Sequence, residues 1–155
     1  MSFKLTDKER FLINFEGQDF SKEGKNFIKV RELALEFLKE SEFPTTKDEL
    51  WKYTSVNAIL KDEFKPLSSI NNPNIDAHKI PGLDAYQMVF INGFFAPHFS
   101  TVFEDDKGEF ILMNINAAKG KFAQFMENYF GTLAKSQGSA FNALNAAYSQ
   151  DGLYL

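Results

Sequence analysis

Apolar residues recur at two different periods along this chain, and that switch limits the fold more than any other feature. Phe27, Val30, Ala34, Phe37 and Leu38 fall at three- and four-residue steps, as do Phe122, Phe125, Met126, Tyr129, Phe130 and Leu133. Such steps place side chains on one face of a helix. Between these stretches, Tyr86 to Ile91 reads as a strand. It is followed by Asn92-Gly93, the strongest short hairpin signal, because both turn positions favour positive φ. Helices flanking a short antiparallel region predict an α+β fold.

The chain has 155 residues, about the length of one domain, and 18 Phe, which predicts an aromatic-rich interior. It has no Cys, which excludes disulfides, thiolate metal sites and a Cys nucleophile from this stretch. The net charge of −4 argues against a nucleic-acid reader, which usually carries a basic face. No signal peptide is apparent, and apolar runs are far shorter than the ~18 residues of a membrane span. A cytoplasmic protein without membrane or nucleic-acid partners is expected.

Of the 17 Lys+Arg and 21 Asp+Glu, 12 and 13 lie in residues 1–65, as expected of exposed helices. Helices are predicted near 6–16, 25–41 and 46–58. Thr6 with Glu9, and Thr46 with Glu49, have capping-box spacing, and Pro44 separates the second helix from the third. In the second helix Lys29, Arg31, Glu32, Glu36, Lys39 and Glu40 are assigned to the face opposite the stripe. Residues 66–81, with three Pro, three Asn and two Ser, read as a connector. A small antiparallel sheet is predicted over 86–115, apolar on both faces, with helices at 119–130 and 139–149 covering it. The expected units are 1–65, 66–81, 82–150 and 151–155. The expected core is Phe27, Val30, Ala34, Phe37, Trp51, Val89, Ile91, Phe110, Leu112, Phe122, Phe125, Met126 and Leu144.

Several residues suggest chemistry, and each has a plainer reading. Trp51-Lys52-Tyr53 could stack on a ligand, but its place in an amphipathic pattern favours anchoring to the core. His78 and His98 are the only imidazoles, too few and too far apart for a metal site. A Ser100–His98–Asp triad has no nucleophile elbow to support it. Residues 116–121, Asn-Ala-Ala-Lys-Gly-Lys, lack the first Gly and the Ser/Thr of a phosphate loop. Residues 104–108, Glu-Asp-Asp-Lys-Gly, lack the spacing of a calcium loop and read as a charged hairpin tip. No catalytic, cofactor-binding or metal residue is assigned.

Three stretches together resemble one family. Pro44-Thr45-Thr46-Lys47-Asp48-Glu49-Leu50-Trp51-Lys52-Tyr53-Thr54 is similar to the P-x-x-K-x-E-x-W-K-Y-T segment of SufD-type iron–sulfur cluster assembly proteins. Val89 to Phe95 resembles that family's hairpin. Phe141 to Tyr148 with Asp151-Gly152 resembles its F-x-x-L-N-x-A helix and following D-G turn. The match covers roughly residues 25–155, in the family's order. The resemblance implies the front of a scaffold subunit: a helical region and small sheet leading into a right-handed parallel β-helix. It implies assembly with SufB-like and SufC-like subunits through parts of the family's chain that lie after Leu155. It implies no catalytic role and no cofactor in this segment. Leu153-Tyr154-Leu155 is accordingly read as the start of a truncated strand with no room to pair. The alternatives are a stand-alone helical protein–protein interaction module and a small-molecule-binding or hydrolytic domain built on the β segment.

Overall fold

The computed structural model describes residues 5–13, 15–62, 74–101, 103–104 and 110–155. The chain forms two compact units. The first comprises residues 1–66 and 127–149, the second residues 67–126 and 150–155. Among the described residues the architecture is α+β, with six α-helices and two small antiparallel sheets.

The first unit is built on α2 (Lys25–Glu40) and α6 (Ala140–Tyr148), which pack along one another. Small side chains allow their backbones to approach closely. Ala34 on α2 and Ala143 and Ala147 on α6 are completely or almost completely buried. Ser139 caps α6, its Oγ accepting from Asn142 N at 3.1 Å. Phe11, Leu38, Phe43, Val56, Ala140 and Ala143 form the core cluster, ringed by Phe37, Trp51, Phe141, Leu144 and other half-buried side chains. Each large apolar side chain fully buried here contributes about 1.5–3 kcal/mol.

α1 (Asp7–Ile13) opens with the capping box expected from its sequence. Thr6 N donates to Glu9 Oε2 at 2.7 Å, and Glu9 N donates to Thr6 Oγ1 at 3.2 Å. The helix ends earlier than the predicted residue 16, and tighter turns join Phe15 to Leu12 and Glu16 to Ile13.

The predicted helix over 46–58 is not formed. A single 3₁₀ turn at Glu49–Trp51 is followed by a turn at Lys52-Tyr53, an irregular stretch over 54–56 and a short α3 (Asn57–Lys61). The cap forms one residue earlier than expected. Asp48 Oδ2 accepts from Thr45 N at 2.7 Å, and Lys47 N donates to Thr45 Oγ1 at 3.2 Å. These local bonds satisfy the backbone in a turn rather than at a helix start.

The second unit holds both sheets. β1 (Phe90–Ile91) and β2 (Phe94–Phe95) form the expected hairpin, with Phe90 opposite Phe95. Asn92 at φ 51° and Gly93 at φ 86° occupy the turn. β3 (Phe103–Glu104), β4 (Ile111–Asn114) and β5 (Leu153–Tyr154) form a separate antiparallel sheet with β4 in the middle. The predicted single sheet therefore divides in two, with a 3₁₀ turn at Pro97–Phe99 after the hairpin. Leu112 and Met113, on opposite faces of β4, are both buried, as a strand apolar on both faces requires.

The segment Leu153–Tyr154, read as unable to pair, pairs with β4, Tyr154 opposite Met113 and Leu153 opposite Asn114. Ile115 N donates to Gly152 O at 2.8 Å and extends the ladder. Asn114 Nδ2 donates to Asp151 Oδ1 at 3.2 Å, and Gly152 N bonds the same oxygen at 2.9 Å. The Asp-Gly turn is thereby tied to the strand it feeds.

The predicted helix at 119–130 is two helices, α4 (Ile115–Lys121) and α5 (Ala123–Tyr129), broken at Phe122. β4 runs directly into α4, so helix begins four residues earlier than the apolar stripe implies. Phe122 and Phe125 pack on Tyr154, with ring centroids 5.4 and 6.3 Å away. Phe125 is nevertheless 51% exposed and Phe110 37%, so neither belongs to the core. Val30, Val89, Ile91, Phe122 and Leu144 are half-buried. α6, expected over the sheet, packs along α2. The turn expected at 105–108 and most of the connector lie outside the described residues.

Candidate functional site

The Trp51 segment takes its shape from the turn that precedes it. Asp48 N bonds Thr45 O at 3.0 Å, Trp51 N bonds Asp48 O at 2.9 Å and Thr54 N bonds Trp51 O at 2.9 Å. In 3₁₀ geometry residues three apart eclipse one another. Leu50 and Tyr53 have that spacing, and both are exposed, at 95% and 91%. Trp51 turns inward and stacks on Phe141, with centroids 5.4 Å apart and planes 28° apart. Phe141 meets Phe43 edge-on at 5.1 Å, and Phe43 meets Phe11 edge-on at 5.7 Å. An exposed Leu–Tyr pair thus stands on a rigid aromatic base. Lys52 Nζ lies 5.5 Å from the Tyr53 ring centroid. A Tyr beside an aliphatic anchor on a preorganised support suits protein contact better than chemistry, because no acid, base or nucleophile is held against it.

A cleft of about 300 Å³ lies in the same unit, lined in part by Thr6, Lys8, Phe43, Asn57 and Leu60. Two of its charged groups, Lys8 and Asp7, are engaged in structure. Lys8 Nζ donates to Lys39 O at 2.9 Å and to Ser41 O, closing the carbonyl end of α2, and Asp7 pairs with Arg10.

The remaining sequence candidates are not brought together. His78 ends an exposed 3₁₀ turn, and His98 is exposed on another. The Ser100 hydroxyl accepts from Val89 N at 2.8 Å and donates to Ala96 O at 2.9 Å, so it closes the hairpin loop and is not poised as a nucleophile. Residues 116–121 are helical in α4. Among the described residues no group of three or more His, Cys, Asp or Glu converges as metal ligands, and no helix is long and apolar enough to cross a membrane.

Arg31 was assigned to the solvent face and is instead 3% exposed. Its Nε and one terminal nitrogen grip Glu23 at 2.6 and 3.0 Å. The terminal nitrogens also donate to the carbonyls of Ala146, Ala147 and Ser149 at 3.4, 2.9 and 2.8 Å. Phe20 covers the guanidinium, its centroid 3.8 Å from Cζ. All five donors of the side chain are used, and three of them close the carboxyl end of α6. A signal was present, since Arg31 continues the series Phe27, Ala34, Leu38 on the buried face.

Tyr148 stacks on Phe15 at 4.7 Å, and burial followed by the nearby Glu16 charge holds its phenol above the ordinary Tyr range. Hydrogen bonds from the Thr45 backbone and hydroxyl lower the Asp48 carboxyl, and those from Thr6 lower Glu9.

The family model described as the SufBD protein N-terminal region matches residues 16–155. The chain belongs to the SufBD family. The matched span takes in all three stretches that carry the resemblance: the Trp51 segment, the Asn92-Gly93 hairpin, and α6 with its Asp-Gly turn. The family is one of iron–sulfur cluster assembly, and the match does not separate SufB-type from SufD-type members. No curated protein and no solved structure matches the chain.

Proposed function

We propose that this chain is the N-terminal region of a SufD-type scaffold subunit that works with SufB-like and SufC-like partners in building iron–sulfur clusters. Its contribution is structural. The family match across residues 16–155 carries this reading, and the Pro44–Thr54 segment favours the SufD-type branch. The fate of the polar side chains supports it: Arg31, Lys8 and Ser100 all serve to close backbone carbonyls or amides. Assembly runs through segments of the subunit beyond these residues. The cluster is cargo of the complex, and this segment binds no cofactor of its own. The setting is cytoplasmic, without nucleic-acid or membrane partners.

The exposed Leu50 and Tyr53 favour a second reading, an interaction module that grips a partner by itself. One experiment tests both. The full-length protein, and the same protein with Leu50→Ser and Tyr53→Ser, are co-expressed with SufB-like and SufC-like subunits. Recovery of a ternary complex from both forms supports the scaffold reading. Failure of the unaltered protein to join either subunit refutes it. Loss of assembly in the double variant alone moves the docking role to this surface.

A further inference from the structure

We infer that Asn92 is the principal site of spontaneous covalent ageing in this chain, forming a succinimide and then an isoaspartyl linkage. The residue is exposed at the tip of the β1–β2 hairpin, and its successor is Gly93. In the step, the Gly93 backbone nitrogen attacks Asn92 Cγ. The new N–C bond forms, the Cγ–NH₂ bond breaks, and ammonia leaves with the proton the amide gave up. Water then opens the ring at either carbonyl, giving aspartate or its β-linked isomer, with no oxidant or reductant. A Cβ on the following residue would crowd that nitrogen. Gly93 has none, and nothing lies within 4 Å of where one would stand. Closing the ring turns the Cα–C and Cα–Cβ bonds of Asn92 (its ψ and χ1), so the hairpin turn has to loosen for the Gly93 nitrogen to reach Cγ. Each strand beside it is only two residues long, and short two-stranded ladders open readily.

Asn57, Asn74 and Asn145 are also exposed, but are followed by Ala58, Ile75 and Ala146, whose side chains shield the attacking amide. They are internal controls. The isomer inserts a methylene into the main chain at the turn and replaces a neutral amide with a carboxylate. The Phe90–Phe95 register cannot survive that change.

The test incubates the full chain at mildly alkaline pH and maps isoaspartate by peptide mass spectrometry and by labelling with an isoaspartyl methyltransferase. Asn92 is expected to convert about tenfold or more faster than the three controls, a barrier difference of about 1.4 kcal/mol or more. Asn92→Gln, which cannot close a five-membered ring, should lose the dominant signal. Equal rates at all four positions, or an undiminished signal in Asn92→Gln, would overturn the assignment.

Discussion

Replacing Arg31 tests the packing logic of the helical unit most severely. Its guanidinium is almost fully buried, and it faces one carboxylate and three carbonyls, all acceptors. Arg31→Met keeps most of the aliphatic volume but removes the ion pair with Glu23, whose side chain is 16% exposed, together with the bonds to the three carbonyls. Removing one partner of a buried pair costs about 3–5 kcal/mol, mostly through the charge left behind. Glu23→Gln keeps a neutral acceptor and the three carbonyl bonds, so its cost should be about 1–2 kcal/mol. Replacing both partners with apolar side chains, Arg31→Met with Glu23→Leu, should recover most of the loss in Arg31→Met. Arg31→Lys should rescue little, because a point charge cannot serve five acceptor contacts in a fixed plane. Trp51 is the only Trp and lies in the same unit, so its fluorescence in urea reads the transition directly. A loss under about 1 kcal/mol in Arg31→Met, the value of an exposed ion pair, would refute the claim that Arg31 fastens α6 to α2.

Gly131 sits at φ 73°, and a Cβ there would lie 2.7 Å from Val30 Cγ1, so Gly131→Ala should cost about 1–3 kcal/mol in the same urea titration. The Asp48 and Glu9 carboxyls are lowered by hydrogen bonds formed only in the folded chain. They stabilise the fold at pH values above the ordinary carboxylate range, and this stabilisation is lost as pH falls through their lowered folded values. Urea titrations at neutral and at acidic pH should show wild type losing more stability on acidification than a Glu9→Gln, Asp48→Asn double variant, which is the less stable of the two at neutral pH. Leu50→Ser with Tyr53→Ser should change stability by less than about 0.5 kcal/mol, since both side chains are solvated. A larger loss by urea titration would show that they pack on the fold.

Local signals were legible where one short segment determines its own structure. The Asn92-Gly93 turn, the Thr6–Glu9 capping box and the 16-residue periodicity of α2 all appear as the residues imply. Legibility failed where two local solutions have the same spacing. Thr45 with Asp48 and Thr46 with Glu49 are both three apart, and it is the earlier pair that bonds and forms a turn, leaving Leu50 and Tyr53 outside. It failed again where structure depends on distant partners. The pairing of β5 with β4 joins residues some forty positions apart, and no period in either strand announces it. For Arg31 the step shared with Phe27, Ala34 and Leu38 marks the buried face, but nothing local marks its carbonyl acceptors at the end of α6, 115 to 118 residues away. Of the candidate site, Trp51, Lys52 and Tyr53 stand out in the sequence and Leu50 does not. Trp51 anchors inward as expected and Tyr53 does not, because a helical wheel does not apply to a 3₁₀ turn.

Aromatic content was the least reliable guide to the interior. Large rings were expected to make the core, yet Phe110, Phe125 and Tyr53 face solvent to a considerable extent. The most deeply buried side chains of the two packed helices include alanines: Ala34 on α2, and Ala143 and Ala147 on α6. The reason is geometric. Two helices that approach over small side chains leave no room for a ring between their axes, so Phe11, Phe43 and Phe141 fill the flanks and meet one another edge to face. Ala143→Leu should therefore disrupt this unit more than Phe125→Ala disrupts the other, although the second removes far more apolar surface. Overpacking a closed helix contact costs about 1–3 kcal/mol or more, whereas a half-exposed ring forfeits only part of its burial.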